Sequence, residues 1–104
     1  MNALRTRLPN RRPSETFAFE CSGRRFIATI SRFPNNQLAE IFLGNGRAGS
    51  DVDAACKDSA VLCSLALQHH VPVETIRKAL LRNSDGIASS PLGVALDLLA
   101  EEHP

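Results

Sequence analysis

The chain has 104 residues, 43% of them hydrophobic and 22% charged, with a formal net charge of +1. That is enough for one domain around one core, and too little for a catalytic barrel or a second lobe. The small net charge makes no global case for a nucleic-acid partner, and no apolar run of about 18 residues offers a membrane span.

Three cysteines without a short-range pairing pattern point to reduced thiols and a cytoplasmic location. Charge is unevenly spread. Residues 1–49 carry eight Arg and three Glu, whereas residues 50–104 carry four basic and eight acidic side chains. A dipolar chain of this kind can orient a partner or a neighbouring subunit. Strands that carry Arg and helix starts that carry Asp account for the same asymmetry.

Residues 1–14 read as a basic flexible arm, with Arg5, Arg7, Arg11, Arg12, two prolines and no acid. The segment lacks the apolar stretch of a secretory signal. Such an arm can contact phosphate backbones or acidic protein surfaces. No aromatic is interleaved to stack on bases, which weakens the nucleic-acid version.

A single domain is expected over residues 15–101. Phe17, Phe19 and Cys21 alternate with Thr16, Ala18 and Glu20. After a turn at Ser22-Gly23, Phe26, Ala28 and Ile30 alternate with Arg25, Ile27, Thr29 and Ser31. Phe33-Pro34-Asn35-Asn36 supplies a second turn, and a third alternating run covers Leu38 to Leu43. Three short strands joined by tight turns predict an antiparallel meander with one apolar, covered face.

From Ser50 the period becomes helical, with Ser50 or Asp51 as the cap. Asp53, Lys57, Ser64 and Gln68 form one narrow polar stripe on a segment otherwise mostly Val, Ala, Cys and Leu, which predicts a largely buried helix ending near His69-His70. Pro72 starts a second helix whose apolar face holds Val73, Ile76, Leu80 and Leu81. Asn83 to Gly86 is a loop. Ser90-Pro91 opens a third helix with Leu92, Ala95, Leu96 and Leu99 as its stripe. The order β-β-β-α-α-α predicts an α+β domain, a three-stranded antiparallel meander followed by three helices packed on one face of the sheet.

Between the last strand and the first helix lies Gly44-Asn45-Gly46-Arg47-Ala48-Gly49, a G-x-G-x-x-G. A dinucleotide site needs a parallel β-α-β unit and an acid about 20 residues further on. Here the preceding strand belongs to a meander, a helix pair follows, and the residues near position 70 are His69, His70 and Val71. Dinucleotide binding by this route is therefore rejected. A weaker version remains, in which Gly46, Arg47, Gly49 and Ser50 hold a phosphate or another small anion at the helix N-terminus. Asp51 and Asp53 oppose it by placing two carboxylates there. A turn that needs Gly for its backbone geometry explains the same residues.

Cys56 and Cys63 lie seven apart on one helix, roughly 10.5 Å along its axis at about 1.5 Å per residue. That is too far for a disulfide or a shared metal ion, and both read as small buried hydrophobes. Adjacent His69 and His70 have a sufficient reason in the helix dipole. No His-x-x-x-His or Cys-x-x-Cys pattern and no nucleophile context occur, so neither metal nor catalytic residues are expected.

Several segments together resemble a known family. Asn10-Arg11-Arg12-Pro13-Ser14-Glu15-Thr16-Phe17 leads into Ile30-Ser31-Arg32-Phe33-Pro34. Then follow Leu38 to Leu43, Gly46-Arg47-Ala48-Gly49-Ser50 and Ser64-Leu65-Ala66-Leu67-Gln68-His69. The combination resembles the TSCPD domain, a module at the C-terminal end of vitamin B12-dependent ribonucleotide reductases that also occurs as a short free-standing protein. The resemblance covers roughly residues 9–100. At the run that names the family, this chain reads Ala88-Ser89-Ser90-Pro91-Leu92. Ser90 stands where the family has Cys and Leu92 where it has Asp, so no thiol chemistry carries over.

The resemblance implies an association with deoxynucleotide synthesis. It does not imply that the chain is itself a reductase, because that reaction needs a radical-bearing Cys inside a large barrel, a reducing Cys pair and a cobalamin site. Cobalamin is implied only for a partner reductase. The expected role is an accessory module that contacts a reductase or a second copy of itself, or binds a phosphate or nucleotide. The alternative is an independent small binding or regulatory module that uses its Arg arm on nucleic acid or an acidic partner.

Overall fold

Two turns shape the sheet, and both use residues that tolerate left-handed backbone. Ser22 and Gly23 have φ of +53° and +77°. Two successive positive angles match the right-handed twist of the flanking strands, which is why such turns close two-residue hairpins. At the second turn Asn36 takes φ +72°, while the N–H of Asn36 donates to the Phe33 carbonyl at 2.8 Å. The computed structural model describes residues 4–45 and 50–102.

Strands β1 (Glu15–Cys21), β2 (Arg24–Arg32) and β3 (Leu38–Gly44) form an antiparallel sheet in the order β1-β2-β3. Pairing of Phe19 with Phe26 and of Ile30 with Ile41 stacks the apolar residues on one face. A register shift between Ser31 and Arg32 pairs Arg32 with Leu38. Helices α1 (Asp51–Gln68), α2 (Val73–Ala79) and α3 (Pro91–Glu102) follow. The core joins Phe19, Phe26, Ile30 and Ile41 of the sheet to Cys63 and Leu67 of α1 and to Leu96 and Leu99 of α3. The fold is α+β, with the strands first and the helices after them.

Local signals set the helix ends. Ser50 Oγ accepts from the Asp53 N–H at 3.0 Å and caps α1. Ser90 Oγ accepts from the Gly93 N–H at 3.2 Å and starts α3. Gly93 is buried where a Cβ would stand 2.9 Å from the Cβ of Ala88, so the approach to α3 packs closer than any larger residue allows. The second helix is shorter than its apolar pattern suggests. It stops at Ala79, and Leu81 is 74% exposed rather than packed.

The orientation of α1 departs from the simple expectation for an amphipathic helix. Most of its polar stripe points inward: Asp53, Ser64 and Gln68 are buried and Lys57 alone of the four is exposed, while Val61 and Leu62 are also exposed. The reason is the free edge of β3. Ser64 Oγ accepts from the Ile41 N–H and donates to the Ile41 carbonyl, both at 2.9 Å. Gln68 Nε2 donates to the Ala39 carbonyl at 3.2 Å, and the Asn45 N–H donates to Asp53 Oδ1 at 3.3 Å. The buried polar side chains thus meet the backbone groups along the open edge of the sheet. An uncovered edge would leave those groups to pair with another chain, and a covered but unbonded one would leave them unsatisfied.

The N-terminal segment is tied to the same region. The Thr6 N–H donates to the Gln68 carbonyl at 2.8 Å, and Arg5 Nε to Gln68 Oε1 at 2.6 Å. Arg12 grips the buried carboxylate of Glu40 with Nε at 2.6 Å and Nη2 at 3.1 Å. Glu40 lies on the outer face of the sheet, so residues 9–12 cover part of the face that the helices leave open.

Candidate functional site

The loop singled out by the sequence connects β3 to α1. Gly46, Arg47 and Gly49 lie outside the described residues. Ser50 is described and is the α1 cap, its hydroxyl oxygen taken by the Asp53 N–H. Behind it Asp53 holds Lys57 Nζ at 2.9 Å and accepts from Asn45. Its carboxyl lies below the usual range, chiefly because of Lys57 and then the Asn45 N–H, with burial opposing them. A carboxylate therefore stands in the first turn of α1, just past the Ser50 cap.

The thiols all face the interior. Cys21, Cys56 and Cys63 are free and buried. Burial pushes Cys63 up to about 11, and burial followed by the charge of Asp53 raises Cys56. A thiol held away from thiolate is a poor nucleophile and a poor metal ligand. His69 Nδ1–H donates to the Leu65 carbonyl at 2.9 Å, a local use of the helix end. Among the described residues no group of three or more metal-ligating side chains comes together.

A concave site lies at the opposite, C-terminal end of α1. A cavity of about 440 Å³ opens between the β2–β3 turn, the α1–α2 connection, α2 and the end of α3. Its apolar wall includes Leu38, Leu67, Leu96 and Leu99. Arg32, His70 and Arg77 bring the basic groups.

Arg32 reaches the cavity because it continues the inward parity of Phe26, Ala28 and Ile30, and because the register shift pairs it with the buried Leu38. Its Nη1 donates to the Asn36 carbonyl at 3.2 Å. Its Nη2 is buried and has no hydrogen-bond partner among the described residues. Bulges commonly re-aim a side chain next to a functional site, and an unsatisfied buried donor calls for an explanation.

His70 is held there by a strained helix ending. The Val71 N–H donates to the Ala66 carbonyl and the His70 N–H to the Leu67 carbonyl, both at 3.0 Å. This closure needs a left-handed residue at its pivot, normally Gly. His70 takes that place at φ +67°. For a non-glycine residue the conformation costs about 1 kcal/mol. The ring stacks on Phe33 with centroids 6.1 Å apart and 22° between planes, and Nε2 shares a 2.7 Å hydrogen bond with the Thr6 hydroxyl.

The charges of Arg77 and Arg32 are handled differently. Arg77 is offset by Glu74 at 2.6 Å and Asp97 at 3.0 Å. Asp97 also pairs with Arg82 at 2.8 Å, and these guanidinium groups, Arg82 first, hold its carboxyl below the usual range. Arg32 forms no ion pair with a described carboxylate. The cavity was missed from the sequence because its walls come from four separate segments. One signal was available: extending the alternation past Ile30 places Arg32 on the apolar side.

Comparison with known proteins gives a consistent result. The family model described as the TSCPD domain matches residues 4–101. The vitamin B12-dependent ribonucleotide reductase of Streptantibioticus cattleyicolor is 33% identical over 72 residues, covering 69% of this chain and 12% of that protein. That of Streptomyces clavuligerus is also 33% identical over 72 residues, again 69% of this chain but 8% of the reductase. The corresponding protein of Rhodopirellula baltica is 29% identical over the same length, 69% of this chain and 7% of its own. The chain thus spans about a tenth of the curated relatives it matches. No solved structure matches it.

Proposed function

The chain belongs to the TSCPD domain family, and from that membership we propose that it serves ribonucleotide reduction as an accessory module that acts by binding rather than by reducing nucleotides on its own. The observation that carries the reading is the match to a small part of vitamin B12-dependent ribonucleotide reductases, with all three thiols of this chain buried. Ser90 at the start of α3 supports it too, since a hydroxyl there serves as a helix cap and supplies no thiol. Contact with protein is favoured over anion capture at Gly46, Arg47, Gly49 and Ser50, because the Ser50 hydroxyl and the Asp53 carboxylate are already engaged. The same reading locates the chain in the cytoplasm, with cobalamin bound by the reductase and not by this module.

The test is to delete the matching region from a vitamin B12-dependent reductase and supply this chain in trans. Co-purification of the two and recovery of deoxynucleotide formation are expected. The reading fails if the chain neither co-purifies nor changes activity and is instead retained on DNA with a steep salt dependence that deletion of residues 1–14 removes. Arg5 and Arg12 are committed to Gln68 and Glu40, which leaves that alternative fewer free cations.

A further inference from the structure

We infer that the cavity at the C-terminal end of α1 binds a small organic carboxylate with an apolar body. This cavity lies at the end of α1 opposite the Ser50 cap and is independent of any reductase contact.

Size comes first. About 440 Å³ lies within the range of small-molecule pockets, roughly 300–1,000 Å³. The walls are apolar where Leu38, Leu67, Leu96 and Leu99 meet, so the body of the ligand must be apolar. Charge then fixes the head group. Arg77 already has two carboxylate partners, whereas Arg32 has none among the described residues. One uncompensated guanidinium suits one negative charge. A nucleoside diphosphate would bring about three negative charges to Arg32, the one guanidinium of the cavity without a carboxylate partner among the described residues, with Glu74 lining the same space.

The placement of Arg32 supports the same conclusion. A guanidinium on the core side of a sheet is unfavourable unless its donors are met. Among the described residues Nη1 has the Asn36 carbonyl at 3.2 Å, and Nη2 has no partner. A carboxylate offers acceptors matched to the guanidinium fork, and the charge-assisted bond formed is stronger than the neutral one it joins. His70 adds a second cue. Its left-handed backbone, unfavourable for a residue other than Gly, sets an aromatic ring beside Phe33 where that ring lines the cavity.

The experiment uses the whole chain, uniformly labelled with 15N, titrated separately with octanoate, 1-octanol, inorganic phosphate and ADP. Octanoate is expected to shift the amides of Phe33, Leu38, Val71 and Val73, with the Arg32 Nε–H moving alongside them. It should bind about tenfold or more tighter than 1-octanol, the increment of one hydrogen bond to a charged group. Arg32→Met should reduce octanoate to the affinity that 1-octanol has for the same variant. Equal binding of octanoate and 1-octanol by the unaltered protein overturns the inference, as does preference for phosphate or ADP. So does the absence of any response to octanoate below its micelle concentration. The decisive comparison uses the unaltered chain, so a poorly folded variant does not obscure it.

Discussion

On the sheet-facing side of α1 stand Asp53, Ser64 and Gln68; on its solvent side stand Val61, 46% exposed, and Leu62, 67% exposed. Each face mixes polar and apolar residues, for different reasons. The inner face carries Cys56, Ala60, Cys63 and Leu67 into the core, but it also meets the edge of β3, where backbone groups need partners. A buried polar group with its bonds made costs little, whereas a buried backbone N–H or carbonyl without one costs about 1–3 kcal/mol. The outer face forfeits only the transfer energy of side chains left in water, and exposed apolar residues are common on protein surfaces.

The largest effect should follow from breaking the inner face at its centre. Ser64→Ala removes the partner of both the N–H and the carbonyl of Ile41. A loss of about 2 kcal/mol is expected in urea unfolding, with an unchanged slope. The melting temperature should fall by roughly 10 °C for a domain of this size. A loss below about 0.5 kcal/mol would mean that the edge is satisfied without the helix.

Next is Gln68→Ala, which frees the Ala39 carbonyl and the Arg5 guanidinium together. About 1.5 kcal/mol should be lost. Limited proteolysis near Arg5 and Arg7 should also accelerate, because the side-chain clamp on that segment is gone. Unchanged cleavage would show that the Thr6–Gln68 backbone bond suffices alone.

The third prediction concerns acid. Asp53 titrates below the usual carboxylate range in the folded chain, with Lys57 as the main cause. The unfolded state therefore takes up a proton first as pH falls. The stability that Asp53 contributes is present above the ordinary carboxylate value of about 3.9 and is lost as pH falls through its lower, folded value. Asp53→Asn should flatten the acid limb of melting temperature against pH. An unaltered limb would assign acid sensitivity to other carboxylates, among them Asp97.

The smallest effect is expected on the outer face. Leu62→Lys should change stability by no more than about 0.5 kcal/mol, measured by the same urea titration. A larger loss would show that the apolar outer face is covered by a second copy in solution, and the loss would then depend on protein concentration.

Much of the fold was legible because the signals are local. Alternation from Phe17 to Cys21 and from Phe26 to Ile30, the Ser22-Gly23 turn, and the Ser50 and Ser90-Pro91 helix starts each depend on neighbours within about four residues. The stripe Asp53-Lys57-Ser64-Gln68 was equally visible, yet its direction was not. An amphipathic pattern identifies two faces and assumes that polar means solvent, and that assumption fails beside an unpaired strand edge. The candidate site was hardest to see. The Gly44–Gly49 corner drew attention because its residues are contiguous, whereas Arg32, His70 and Leu96 lie on different elements.

The order of strands and helices, the family, and the absence of a parallel β-α-β unit around the glycine run can be read from the chain of residues alone, because period, turn and cap are short-range properties. Packing in three dimensions is what turns Ser64 and Gln68 toward β3, leaves Arg32 without a carboxylate among the described residues, and sets His70 left-handed against Phe33. Those outcomes depend on which distant backbone groups and charges come to lie within about 3 Å of one another, a quantity that no short window of sequence contains.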